Sequence, residues 1–434
     1  MPHSEIPPAP PRSGDRLKWV PYEDDYPDLV WEYTHLNEPE LTDKFEELAM
    51  WGTLGDTDYA TLQPCPNPSE ASQDRHIIQD WDIDGKHWRF RGLFDGHGGH
   101  DTVNYTVQSL PSFLLERLAR FVKKGDWTTT DISQLISQAI IDFDNDIGKG
   151  FLDLFPGNSI HESSDEQLKN IVNDPANIQA VLRCMRGTTV LIALVDPEGA
   201  NLWVASLGDC TAILGTREPS GTWSTQTLSF NHNGTNASEA TRVRLEHAGE
   251  ERCMEDDRVL GAIAVTRAIG DYVFKLPAVY TQRGLLNCEV GFRTQRKVDD
   301  LLPRVLTPPY VSNVPQVNHI SLSLSSKQQS NSTTPSSILM MYSDGLGDLY
   351  EDEFRYAVKI PGFWSSVVGK VMDIPGGPET KETASPRPRN ERNAAMRFIR
   401  QGLGAEDAEN VSRSLTTEYY GRWMDDTTVL VLRL

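Results

Sequence analysis

Five aspartates in this chain stand where apolar runs that read as β-strands begin or end, and that recurrence narrows the possible folds more than any other feature. Asp95 follows Gly92-Leu93-Phe94, Asp209 follows Val204 to Gly208, Asp344 and Asp348 follow Ile338 to Ser343, and Asp425 precedes Thr427 to Leu432. One aspartate beside a strand is ordinarily a turn residue. Five of them suggest strand ends gathered around a common point. Carboxylates crowded together oppose one another's ionisation. A hard divalent cation removes that difficulty, and carboxylates with water and backbone carbonyls are the donors that Mg2+ or Mn2+ accepts.

The same residues suit metal-assisted hydrolysis of a phosphoester. Two divalent ions close together lower the pKa of a shared water, orient it towards phosphorus and neutralise phosphoryl oxygens. The glycines after Asp95 and Asp344 let the backbone come close and leave a carbonyl free to act as a ligand. His97, two residues beyond Asp95, is placed to protonate a departing alkoxide near neutral pH.

Charge and cysteine content exclude other classes. The 434 residues carry 41 Lys plus Arg against 62 Asp plus Glu, a formal charge of -21, whereas nucleic-acid binding calls for a concentrated basic surface. Five scattered cysteines without a CxxC pair fit neither a disulfide framework nor a structural zinc site. No apolar run approaches the length of a membrane span. The N-terminus, MPHSEIPPAPPRSGDRLKW, has neither a signal core nor a transit-helix pattern. An intracellular, mainly cytoplasmic monomer acting on a phosphorylated protein is the expectation, with a mitochondrial or nuclear address left open.

Along the chain, residues 1 to about 20 read as a Pro-rich irregular arm, and Asn37 to Met50 contains a short helix with Leu41, Phe45 and Leu48 on one face. Trp88 to Phe94 reads as a strand. Val103 to Phe121 and Ile132 to Phe151 read as helices, the first kinked or divided by Pro111. A helix near Ile178 to Met185 leads into the strand Gly187 to Val195, and the turn Asp196-Pro197-Glu198-Gly199 makes a hairpin with Leu202 to Leu207. Strands are expected at Ser337 to Tyr342 and Thr427 to Leu432, helical material at Phe354 to Ile360 and Ala405 to Tyr419, and surface excursions at Ser325 to Ser336 and Gly376 to Asn393. The sum is a mixed α+β or layered α/β/β/α fold dominated by antiparallel pairing. An N-terminal arm and extension occupies 1–65, and one domain occupies 66–434 with insertions near 272–336 and 361–395.

The motifs FRGLFDGHGGH at 90–100, RGTTV at 186–190, ASLGDC at 205–210, RVLGAIAVTRAIGD at 258–271, YSDGLGD at 342–348 and MDDTTVLVL at 424–432 resemble, in order, those of the metal-dependent protein phosphatases of the PPM or PP2C family. The resemblance covers about residues 70–434. It implies a β-sandwich of two antiparallel sheets flanked by helices, and hydrolysis of phosphoserine or phosphothreonine at a binuclear Mg2+ or Mn2+ centre. By resemblance, Asp95 bridges both ions, Gly96 offers its carbonyl, Asp344 and Asp425 bind the first ion, and Asp209 and Asp348 hold a weaker third. His97 resembles the general acid, and Asp74 the residue that holds a metal-bound water.

Two departures bear on activity. The family's Glu-Asp pair ahead of the signature is Gln73-Asp74 here, so the position can give the second ion a carbonyl oxygen but no charge, and Glu70 is a nearby substitute. The phosphate-binding arginine common in the family corresponds to Ser69, with Arg75 and Arg91 nearby. The segment RVLTPPYVSNVPQV at 304–317 is similar to one in pyruvate dehydrogenase phosphatases and their fungal and plant relatives. Arg258, Arg267 and Asp271 read as structural ion pairs or caps, His76 and His100 as surroundings rather than ligands, and Trp81, Trp88 and Trp203 as packing. A silent scaffold or regulatory protein of the same fold is the main competing expectation, and a phosphoesterase of small molecules a third.

Overall fold

The computed structural model describes residues 11–21, 28–293, 295–322, 336–354, 360–373 and 393–434. The excursions expected at 325–336 and 376–393, and the helical material expected at 354–360, lie almost wholly outside the described residues. The architecture is mixed, with central antiparallel sheets flanked by helices. Two compact units are present, one formed by residues 1–72, 219–223 and 344–432, the other by 73–218, 224–343 and 433–434.

The larger unit is built on a five-stranded antiparallel sheet in the order Gln316–Ser321, Asn201–Leu207, Val190–Val195, Lys86–Phe94, Arg75–Ile83. Its last two strands form a hairpin with Ile83 opposite Lys86. The linking Asp84 and Gly85 both have positive φ, 55° and 76°, as a tight turn matched to strand twist requires. The expected hairpin is present, with Val195 opposite Leu202.

Two long helices pack their apolar stripes into the core of this unit. Asp101–Val122 contributes Val103, Leu110, Leu114 and Leu118, and Thr129–Leu152 contributes Ile132, Ile136, Ile140, Phe143 and Phe151. Pro111 does not divide the first helix, which runs through it. Proline costs one main-chain hydrogen bond, and the burial of the leucines on either side of it offsets that loss. Trp81, Trp88 and Trp203 are buried in the same core.

In the smaller unit the hairpin Ala49–Leu54 and Thr57–Leu62 receives the C-terminal strand Thr427–Arg433 on its free edge, with Thr427 opposite Leu62. Asp58, 1% exposed, accepts from Thr53 Oγ1 at 2.7 Å and from Ala394 N at 2.9 Å, which ties the helix Ala394–Gly402 to this hairpin. The expected N-terminal helix is Glu40–Leu48. The arm is not irregular throughout, because Arg16–Trp19 pairs with Trp31–Thr34 and Trp19 packs edge-on to Trp31.

One buried ion pair holds the segment that leads into the site. Glu239 receives Arg267 Nη2 at 2.6 Å and Nε at 3.0 Å, with Thr266 Oγ1 at 2.6 Å. Burial alone would raise the Glu239 carboxyl, but these donors and Arg242 bring it down to about 2 from 4.5. A depressed carboxylate adds stability that is complete above its unfolded pKa and disappears as pH falls towards the folded one. Glu239→Gln is therefore expected to cost on the order of 3 kcal/mol at neutral pH. Denaturant titrations should show the gap between wild type and variant closing from pH 4.5 down to about 2.

Candidate active site

Three motif segments that are remote in sequence meet in a sheet of three two-residue strands. Gly96 and His97 pair with Thr188 and Gly187, which pair in turn with Ile269 and Gly270. The strand Lys86–Phe94 delivers Asp95 to its edge, and the TTV segment clamps it there. Thr189 N donates to Asp95 O at 2.8 Å, Thr188 Oγ1 to the same carbonyl at 3.0 Å, and Asp95 N to Thr189 Oγ1 at 3.1 Å. These three bonds fix the main chain of Asp95 at the sheet edge.

Asp209 follows the strand Asn201–Leu207 and is 8% exposed, with Oδ2 receiving Asn233 Nδ2 at 2.7 Å. Asp344 is peptide-bonded to Ser343, just past the strand Ser337–Tyr342, and begins the helix Asp344–Phe354. One carboxylate oxygen from each of Asp95, Asp209 and Asp344 lies within 4.8 Å of the others. The sequence placed Asp344 and Asp348 after the run that ends at Ser343, with no sign of a helix there. They are helical, and their spacing of four puts them on one helix face.

The cluster is chemically suited to a divalent cation. Three hard oxygen donors within one ion's reach suit a hard divalent cation. The negative field is strong enough to act on a neighbour: burial, followed by the carboxylates of Asp95, Asp209 and Asp74, pushes the Cys210 thiol well above its ordinary range. Asp348 and Asp425 are not in this group. In the smaller unit they line a cavity of about 400 Å3 with Gly345 and Arg422.

The residues ahead of the signature have definite partners. Gln73 Oε1 accepts from Gly99 N at 2.7 Å, so this amide braces the glycine loop after His97. Asp74, 4% exposed, accepts from Ser343 Oγ at 2.6 Å, next to Asp344. Arg91 is turned away into the sheet, bonding Asp80 Oδ1 at 2.9 Å and Gln79 O at 2.7 Å, while Arg75 bonds Asn104 Oδ1 at 2.8 Å. Ser69 folds back on Asn67 Oδ1, and Glu70 Oε2 lies 3.4 Å from Arg422 Nε.

His97 is paired with a residue that sequence reasoning assigned to structure. Its Nε2 donates to Asp271 Oδ2 at 2.6 Å. Burial draws the imidazole pKa down, but the adjoining Asp271 carboxylate more than compensates and the net shift is upward. Arg267 is structural as expected, and Arg258 Nη1 donates to Ala262 O at 3.5 Å. Asp271 itself is held at φ 53° by a buried bracket that the sequence did not reveal. Asp144, fully buried on the helix Thr129–Leu152, accepts from Gly270 N at 2.7 Å and Lys275 Nζ at 2.8 Å, and its carbonyl accepts from the Tyr272 hydroxyl. The only available sign was an acid beside Phe143 on an otherwise apolar stripe.

The protein phosphatase 2C family model matches residues 65–354, and the chain belongs to that family of protein serine/threonine phosphatases. A protein phosphatase 2C homolog of Schizosaccharomyces pombe is 29% identical over 378 residues, 84% of this chain and 78% of that one. The mitochondrial [pyruvate dehydrogenase [acetyl-transferring]]-phosphatase 1 of Saccharomyces cerevisiae is 27% identical, covering 79% of this chain and 61% of its own length. The human mitochondrial [pyruvate dehydrogenase [acetyl-transferring]]-phosphatase 2 is also 27% identical, covering 79% of this chain and 72% of its own.

Gly187 makes the His97–Asp271 contact sterically possible. A Cβ there would lie 2.1 Å from His97 Nε2 and 2.2 Å from Asp271 Oδ2, so alanine must push the pair apart. Displacements of this size in a catalytic constellation cost about 100-fold in rate. Gly187→Ala is expected to lower kcat on p-nitrophenyl phosphate by about that factor with a small change in KM, as steady-state kinetics would show.

Proposed function

We propose that this chain is an active divalent-metal-dependent phosphatase that removes phosphate from serine and threonine side chains of proteins, through the site at Asp95, Asp209 and Asp344. The observation that carries the reading is the approach of these three carboxylates to within 4.8 Å of one another, in a chain that also supplies a histidine two residues away. Divalent cations bound there would lower the pKa of a water and neutralise the phosphoryl oxygens. The protein's own groups do the rest.

Asp95, Asp209 and Asp344 would hold the cations, with Gly96 O, next to Asp95, as a further donor and with Asp348 and Asp425, which line the cavity beside Gly345, as additional candidates. Asp74, already bonded to Ser343 Oγ, would orient water beside them. His97 would protonate the departing serine or threonine oxygen. Asp271 keeps the imidazole in one orientation and stabilises its protonated form, the state a general acid must start from. Gln73 takes the place of a charged residue but is committed to Gly99 N, so its contribution is to the shape of the loop.

Among substrates, phosphorylated pyruvate dehydrogenase is the first to test, because two of the similar proteins are named for it and the segment 304–317 resembles that subgroup. The competing reading, a silent scaffold, draws on Gln73, whose neutral amide adds no charge for a second cation. A phosphothreonine peptide separates the two readings. The active reading expects phosphate release with Mn2+ or Mg2+, none with chelator, and a fall to background in Asp95→Asn with the fold retained by circular dichroism. Release that appears only in Gln73→Glu would establish the silent reading instead.

A further inference from the structure

The cavity of about 400 Å3 in the smaller unit has an uneven charge distribution. Asp348 and Asp425 face it, and Arg422 is the one cation among the residues that line it. A phosphoryl group carries close to two negative charges near pH 7. The two carboxylates repel such a group, so its approach to this wall depends on the guanidinium.

Arg422 is held in place by main chain and carboxylates together. Its Nε donates to Glu70 O at 3.3 Å, Nη2 to Ala71 O at 3.0 Å and Nη1 to Asp426 Oδ2 at 3.0 Å. Asp426 is 3% exposed and Arg422 20% exposed, so the guanidinium is anchored on a buried carboxylate, and Arg422 still lines the cavity. A guanidinium has five N–H donors. Three are used in these bonds, which leaves one on each terminal nitrogen, the arrangement that grips two oxygens of a phosphoryl group. Glu70 Oε2 at 3.4 Å and Asp425 Oδ1 at 3.7 Å hold the charge without using those donors.

The position is also tied to the metal-ligand candidates. Gly345, next in sequence to Asp344, lines the same cavity, and a Cβ on it would lie 2.2 Å from Asp426 O. The helix start that carries Asp344 and the strand start that carries Asp425 and Asp426 are therefore in direct main-chain contact. Arg422 stands four residues before Asp426 on that second segment.

We infer that Arg422 is the phosphate-gripping residue of this phosphatase, with its two remaining N–H groups on the phosphoryl oxygens of the substrate. The inference rests on the phosphatase reading above. Arg422 also braces Glu70 and Ala71, so the test must separate grip from bracing.

The full chain, Arg422→Lys and Arg422→Ala are compared by three measurements: steady-state kinetics on p-nitrophenyl phosphate at saturating Mn2+, calorimetric binding of inorganic phosphate to the Mn2+-loaded protein, and calorimetric Mn2+ binding without phosphate. Expected for Arg422→Ala is a rise of about 10- to 100-fold in KM and in the phosphate dissociation constant, with a smaller change in kcat and Mn2+ affinity equal to or tighter than wild type. Arg422→Lys, which keeps the charge and loses the fork, should fall between. Phosphate affinity unchanged in both variants, or lost only in step with Mn2+ affinity, overturns the inference and leaves Arg422 as a brace. A wild type that hydrolyses nothing refutes the phosphatase reading, while phosphate binding still decides on Arg422. A wild type that also fails to bind phosphate refutes both.

Discussion

Repulsion among carboxylates is the constraint around which this site is built. Asp95, Asp209 and Asp344 come from three separate strand ends, yet present oxygens within 4.8 Å of one another. Their mutual approach is unfavourable while all three are ionised. The surroundings accept that cost through hydrogen bonds that hold the neighbouring chain: the hydroxyls of Thr188 and Thr189 fix the backbone of Asp95, and the hydroxyl of Ser343, one residue before Asp344, donates to Asp74. A divalent cation converts the arrangement from a liability into a binding site. Burial first, and then the carboxylates of Asp95 and Asp209, push the nearby Cys210 thiol up.

A second layer of buried polar contacts aims the His97 imidazole. Asp144 and Lys275 form an ion pair in the core, and Asp144 grips Gly270 N, so Asp271 is held with φ positive and its carboxylate against His97. Breaking such a pair leaves a charge stranded in low dielectric, which makes the bracket stiff. The Glu239–Arg267 pair restrains the same segment a few residues earlier. Two buried ion pairs flanking one short loop are costly to desolvate, and their benefit lies in the position of a single imidazole.

Much of this was legible in the sequence for physical reasons. Apolar runs such as Val190–Val195 and Ser337–Tyr342 bury nearly every side chain, and such runs announce themselves. The aspartates that close them are visible because each interrupts such a run. What was not legible depends on tertiary partners. Arg267 and Asp271 lie four residues apart in one motif, and nothing local says that one meets Glu239 and the other His97. The two-residue strands Gly96–His97, Gly187–Thr188 and Ile269–Gly270 are too short to show a period. Asp144 could not be told from a surface acid until its helix was docked. Arg422 had no motif to mark it, and only its contacts with Glu70, Ala71 and Asp426 give it a place.

The claim that a shared cation holds the acidic cluster together can be read directly from a crystal of the full chain soaked in Mn2+ and measured at the manganese absorption edge. The account requires an anomalous peak roughly 2.0–2.4 Å from carboxylate oxygens of both Asp95 and Asp344. A fully soaked crystal in which those side chains keep their positions and no manganese stands between them would contradict it.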